Sequence, residues 1–184
     1  MIKKKKHILS AVYSPAQIDE RVRLMAEQIN RRYQGEEVYV VCVLKGAFML
    51  FSDLLKYLEV PVRVDFVRLA SYGMSTESSR AINLTKDVEY DLAGRNVLIV
   101  EDIVDTGHSM NYLLREFRRR EAKSLAVAAL LDKPERREID IQIDFVGFSG
   151  AEGFLVGYGL DYAELYRNLP GIYELSFEDE QEVG

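Results

Sequence analysis

Residues 97–110 read V-L-I-V-E-D-I-V-D-T-G-H-S-M. Val97, Leu98, Ile99 and Val100 form a short apolar, mostly β-branched run, the pattern of a strand buried on both faces of a parallel sheet. Two carboxylates, Glu101 and Asp102, stand at the expected end of that strand. A small polar turn follows, Asp105 to Ser109, with Gly107 inside it. Met110, Leu113, Leu114 and Phe117 then recur at i, i+3, i+4 and i+7, which marks one face of a helix. Ligands of open α/β sheets bind beyond the carboxyl ends of the strands. Free N–H groups at a helix start attract anions, and small residues let a phosphate approach. A phosphate next to hydroxyls or a metal fits this order of residues, as in a phosphorylated ribose.

The whole chain sets the bounds. Its 184 residues are expected to form a single domain, 1–184, with a core over about 10–148 and a hood formed mainly by about 149–184. Apolar content of 48% and charged content of 29% are those of a globular protein. A net charge of −6 argues against broad binding to nucleic acid. The single cysteine, Cys42, lies in an apolar run and has no internal partner for a disulfide, so a reducing, cytoplasmic setting is expected. No stretch has the length of a signal peptide or membrane span, so no membrane partner is expected. Lys3 to Lys6 read as a solvated tail.

Outward from the central stretch, buried strands alternate with helices. Ser14, Pro15 and Gln17 form a capping box, and Ile18, Val22, Met25 and Ile29 give the buried stripe of a first helix that stops near Gly35. Val38 to Leu44 is a strand, Lys45-Gly46 its end, and Ala47 to about Leu58 a helix. Val62 to Leu69 alternates as a strand. Ser71 to Arg80 lacks periodicity and reads either as a mobile lid or as an ordinary exposed loop. Arg118 to Arg120 read as a solvated face at a helix end. Ser124 to Leu131 and Ile143 to Phe148 are further strands.

Gly150, Gly153, Gly157 and Gly159, set among aromatic residues, break the alternation and read as a small lobe over the sheet edge. The tail after Phe177 reads as frayed. The fold expected is α/β, a mainly parallel twisted sheet with helices on both faces plus a small C-terminal hood lobe. Lys45-Gly46, Glu101-Asp102 and Lys133 all fall at strand ends on one edge, and their convergence marks a site.

The central stretch resembles the phosphoribosyl-pyrophosphate signature of type I phosphoribosyltransferases: four apolar residues, two acids, two apolar residues, then D-T-G-x-S. V-L-K-G at 43–46, S-Y at 71–72, L-L-D-K at 130–133, F-L-V-G-Y-G-L-D-Y at 154–162 and Arg167 beyond are similar to the hypoxanthine-guanine branch. The resemblance spans about Val38 to Arg167. It implies transfer of the 5-phosphoribosyl group from phosphoribosyl pyrophosphate to a 6-oxopurine base, with Mg²⁺ required and an oxocarbenium-like transition state. It also implies a homodimer or homotetramer.

Roles follow from the resemblance and from residue chemistry. Asp105, Thr106, Gly107, His108 and Ser109 are expected around the 5′-phosphate, with His108 contributing only its backbone N–H. Glu101 and Asp102 would accept from the ribose hydroxyls and support the metal, and Asp161 is the carboxylate expected to hold a second Mg²⁺. Lys45, Gly46 and Arg167 would hold pyrophosphate, and relatives can carry a cis peptide before this lysine. Asp105 is the candidate base at purine N7, or else a turn aspartate capping the next helix. Lys133, which has only donors, would recognise the purine O6 and reject the amino group of adenine. Phe154 would stack on the base, Ile103 would line its other side, and backbone carbonyls of Leu155 and Asp161 would meet its edge. Ser71 and Tyr72 belong to the lid.

Three competing readings stand beside this one. They are a phosphoribosyltransferase for another base, a same-fold RNA-binding regulator using Arg118 to Arg120 and Arg136-Arg137, and a nucleotide-binding protein without activity.

Overall fold

The apolar runs become the inner strands of one sheet. The computed structural model describes residues 6–72 and 81–178. In chain order its elements are β1 (Lys6–Tyr13), α1 (Pro15–Arg32), β2 (Val38–Leu44), α2 (Phe48–Leu55), β3 (Val62–Tyr72), β4 (Ala81–Lys86), β5 (Asn96–Val104), α3 (His108–Arg119), β6 (Ser124–Asp132), β7 (Phe145–Ser149), β8 (Leu155–Val156) and β9 (Ile172–Glu178). Among the described residues one sheet runs β4-β3-β2-β5-β6-β7 and a second runs β1-β9-β8. In the larger sheet every pairing is parallel except β3 with β4.

Alternation along β2 and β5 splits the core into two layers. Val38, Val40, Cys42, Leu98 and Val100 pack with the α1 stripe and with Leu50 and Leu54 of α2. Tyr39, Val41, Val43, Val97 and Ile99 pack with Met110, Leu113, Leu114 and Phe117 of α3. Successive strand side chains face opposite ways, so a run that is apolar throughout needs helices on both sides. Helix α1 starts as its capping box requires: the Ser14 hydroxyl accepts from the Gln17 N–H at 3.3 Å, and the Gln17 side chain accepts from the Ser14 N–H at 2.9 Å.

The structure departs from the sequence reading in several places. Strand β5 does not end at Glu101 and Asp102 but runs on to Val104. Helix α2 stops at Leu55, three residues before Leu58, where the Lys56 and Tyr57 N–H groups close turns onto Asp53 and Leu54. Strand β3 extends through Ser71 and Tyr72, which pair with Ile82 and Ala81 of β4, a strand the sequence did not suggest. The rest of the expected lid, residues 73–80, lies outside the described residues, as do Lys3 to Lys5 and residues 179–184 of the acidic tail. The smaller lobe is not C-terminal alone. Its middle strand β9 pairs along its length with β1 from the other end of the chain, from Lys6 opposite Glu178 to Tyr13 opposite Ile172.

Candidate active site

Parallel register brings the carboxyl ends of β2, β5 and β6 to one edge. Cys42 pairs with Val100 and Val104 with Asp132, so Lys45, the Glu101-Asp102 pair and Lys133 follow at neighbouring positions. Above this edge lies the smaller lobe. The structure therefore gathers the site residues named from sequence, except that nothing is described of the Ser71 and Tyr72 side chains.

The turn after β5 is shaped as an anion cradle. Gly107 precedes α3 with φ +90°, a left-handed conformation costly for residues with a Cβ. An added Cβ there would stand 2.6 Å from the Ile139 carbonyl oxygen. No side chain caps the start of α3, so its first N–H groups have no intrahelical acceptor and face outward. A cavity of about 90 Å³ opens here, lined by Glu101, Ile103, Asp105, Thr106, Gly107 and Ser109 among others. His108 takes no place in it through its ring, whose Nε2 lies 2.7 Å from a Glu138 carboxylate oxygen.

The segment after β6 holds this turn in place. The Glu138 and Ile139 N–H groups both donate to the Thr106 carbonyl at 3.0 Å. The Arg137 guanidinium donates to the carbonyls of Asp105 (2.9 Å) and Val104 (3.2 Å) and to the Asp132 carboxylate. Arg136 pairs with Asp105, its Nε 3.1 Å from Oδ1. That oxygen is buried and has no hydrogen-bond donor. These two arginines, read from sequence only as part of a basic face, thus serve the site. The other basic run is engaged as well, Arg119 with Glu116 and Arg120 with Asp87. The Arg-Arg pair four residues beyond a strand's end was the one available signal for Arg137.

Glu101 and Asp102 differ in environment. Burial, and then the Asp102 carboxylate beside it, push Glu101 well above the usual carboxylate range. Asp102 accepts from the Ile103 N–H at 2.9 Å and lies against Gly46, where an added Cβ would fall 1.6 Å from the Asp102 carboxylate. The Gly46 carbonyl in turn fills the place a Cβ on Gly159 would take, at 2.0 Å. Only glycine allows the two loops to close on each other this tightly. The Leu44–Lys45 peptide is cis. Cys42, behind the pair, has its thiol pushed up to about 12 by burial and by the two acids, which suits an inert core residue.

A chain of charges crosses the mouth of the site. Lys45 Nζ donates to Glu164 Oε2 at 2.9 Å, and Arg167 reaches the same oxygen at 3.3 Å. Arg167 also pairs with Asp161 at 2.8 Å and donates to the Gly159 carbonyl at 2.8 Å. The other Asp161 oxygen accepts from the Glu164 N–H at 2.8 Å. The Lys45 ammonium, and with it Arg167, holds the Glu164 carboxyl below the usual range. Sequence reading did not single out Glu164.

Lys133 and Phe154 follow β6 along the chain. Lys133 is buried, and its ammonium donates to the Gly153 carbonyl at 2.9 Å. Phe154 is half exposed rather than packed in the core, with its ring edge-on to Tyr162 at 5.7 Å between centroids. Tyr162 meets His7 and Phe177 from β1 and β9, so both chain ends support it.

Comparison with known proteins agrees with this geometry. A family model for the phosphoribosyl transferase domain matches residues 10–163. The hypoxanthine phosphoribosyltransferase of Salmonella typhimurium is 42% identical over 177 residues, 95% of this chain and 99% of that protein. The hypoxanthine-guanine phosphoribosyltransferase of Bacillus subtilis is 43% identical over 168 residues, covering 91% and 93%. A crystal structure of a hypoxanthine-guanine phosphoribosyltransferase from Bacillus anthracis superposes with a TM-score of 0.86 at 39% identity, covering 93% of this chain and 99% of that one. With the Asp105 to Ser109 turn, the acidic pair and Lys133 at one sheet edge, and with relatives this similar over nearly the whole length of both chains, the chain belongs to the hypoxanthine-guanine phosphoribosyltransferase family.

Proposed function

We propose that this chain transfers the 5-phosphoribosyl group from phosphoribosyl pyrophosphate to hypoxanthine or guanine, giving IMP or GMP and releasing pyrophosphate. It is an enzyme of purine salvage. The observation that carries the reading is the combination of an uncapped helix start at Gly107, after β5, with a buried lysine, Lys133, at the end of the neighbouring strand β6 and an exposed phenylalanine, Phe154, next to the Gly153 carbonyl that holds it.

The turn Asp105 to Ser109 binds the 5′-phosphate through backbone N–H groups and the Thr106 and Ser109 hydroxyls. Asp102 and Glu101 accept from the ribose hydroxyls. Lys133 keeps one hydrogen on Gly153 and turns the others to the purine O6, which accepts from it, whereas the adenine amino group cannot. Phe154 stacks on one base face and Ile103 lines the other, with the Leu155 and Asp161 carbonyls at the base edge. Asp105, whose buried Oδ1 faces Arg136 but accepts no hydrogen bond, accepts the N7 proton. Lys45, Gly46 and Arg167 receive the leaving pyrophosphate. Ser71 and Tyr72, at the end of β3, would belong to a lid over the site. The protein's share of the rate is positioning and stabilisation of charge on the sugar and leaving group.

The donor set suits Mg²⁺. No cluster of three potential ligands stands among the described residues, and Mg²⁺ prefers a few carboxylates with waters and substrate phosphates. Asp161, and Glu101 and Asp102 through water, would hold it, and when bound it would neutralise charge on the pyrophosphate.

Incubation with phosphoribosyl pyrophosphate, Mg²⁺ and each base in turn tests the proposal. IMP and GMP formation supports it, and turnover of adenine or uracil alone contradicts it. A cytoplasmic setting and a homodimer or homotetramer accord with the reading. Among the described residues no helix is long and apolar enough to cross a membrane.

A further inference from the structure

We propose that Glu164 is an internal stand-in for pyrophosphate: its carboxylate holds the subsite between Lys45 and Arg167 in the ligand-free protein, and the diphosphate enters by displacing it. The inference rests on the reading above that Lys45 and Arg167 receive pyrophosphate. One oxygen, Oε2, accepts from the Lys45 ammonium at 2.9 Å and from the Arg167 guanidinium at 3.3 Å. A single anionic oxygen between an ammonium and a guanidinium is what a phosphate oxygen would present to the same two cations. The two come from loops far apart in sequence, so the bridge is tertiary and belongs to the site.

Three features make the carboxylate displaceable. The Glu164 side chain is 64% exposed, so it can swing into solvent without opening the core. Arg167 is held independently, by the Gly159 carbonyl and by Asp161, and keeps its place when Glu164 leaves. The backbone is also forced: Ala163, Glu164 and Tyr166 have φ of +50°, +66° and +76°, a left-handed region unfavourable for residues with a Cβ. Such conformations persist where a site requires them. Glu164 screens two like charges from each other in the free enzyme and competes with the product for them. Its presence weakens the hold on pyrophosphate and favours release.

Calorimetric titration of the full chain with pyrophosphate in the presence of Mg²⁺, together with product inhibition against phosphoribosyl pyrophosphate, tests this. Glu164→Gln and Glu164→Ala are expected to tighten pyrophosphate by roughly three- to tenfold, the range that two partly exposed ion pairs can supply. Both should lower KM for phosphoribosyl pyrophosphate, and Lys45→Gln should weaken both ligands. A gain in affinity cannot come from a misfolded variant. If Lys45→Gln weakens pyrophosphate but both Glu164 variants leave it unchanged or weaker, the stand-in role is overturned while the pyrophosphate reading survives. If neither Lys45→Gln nor Arg167→Gln alters pyrophosphate binding, the assignment of that subsite fails and the inference with it.

Discussion

The Lys133 ammonium donates to the Gly153 carbonyl at 2.9 Å, tying the end of β6 to the smaller lobe. A buried cation held this way has one hydrogen spent and a fixed direction for the others. Lys133→Gln is therefore expected to lower kcat/KM for hypoxanthine roughly 10- to 100-fold, the cost of losing a hydrogen bond to a charged donor. The preference over adenine should shrink in parallel. Steady-state rates with both bases check this, and an unchanged preference would remove Lys133 from base selection.

Asp105 is positioned by its neighbours but not saturated by them. Arg136 pairs with one oxygen at 3.1 Å without hydrogen-bonding geometry, and that oxygen accepts no hydrogen bond. Asp105→Asn keeps the shape and removes the carboxylate proposed above as proton acceptor. Turnover should fall roughly 100-fold or more, within the range of general-base contributions, with little change in KM for phosphoribosyl pyrophosphate. An equal rise in KM with kcat retained would instead mark Asp105 as a binding group.

Arg137 is mostly buried and satisfies carbonyls of Val104 and Asp105 as well as the Asp132 carboxylate. Arg137→Met strands that carboxylate and those carbonyls. Unfolding in urea should show a loss of about 3 kcal/mol. A loss under about 1 kcal/mol, typical of exposed ion pairs, would contradict the anchoring role.

Glu101 gives a signed pH effect. Burial and the Asp102 charge raise its folded-state affinity for a proton above that of the unfolded chain. The folded state then binds more protons, so the contribution of Glu101 is fully present below the unfolded carboxylate range and is lost as pH rises through the folded value. Glu101→Gln mimics the protonated form. Its melting temperature without ligand should exceed that of the parent by a margin that widens from pH 5 to pH 8, read as a trend. Parallel curves would show that Glu101 is not proton-linked.

The parts of the fold that were legible are those whose pattern is local. Strands β2, β5 and β6 are continuous apolar runs, and α1 and α3 carry clean helical stripes with a capping box or a glycine at the start. Strands β1, β4 and β9 were not read, because each is polar or only half buried and gains its identity from its pairing. Lys6 of β1 opposes Glu178 of β9, and nothing local to either end of the chain signals it. The end of β5 was misplaced because Glu101 interrupts the apolar run while still being buried inside the strand. Within the site, Lys45, the Glu101-Asp102 pair and Lys133 stood out as polar residues at strand ends, and Asp105 as the start of a small polar turn. Arg137 and Glu164 did not, since their meaning lies in carbonyls and cations that only the folded chain brings near them.

The most direct test of the central claim is nucleotide formation from phosphoribosyl pyrophosphate and Mg²⁺ with hypoxanthine, guanine, xanthine, adenine and uracil supplied separately. The geometry of Lys133, Phe154 and the Asp105 to Ser109 turn predicts rapid formation of IMP or GMP and none of AMP or UMP. Turnover confined to adenine or uracil, or binding of the sugar donor with no turnover of any base, would contradict it.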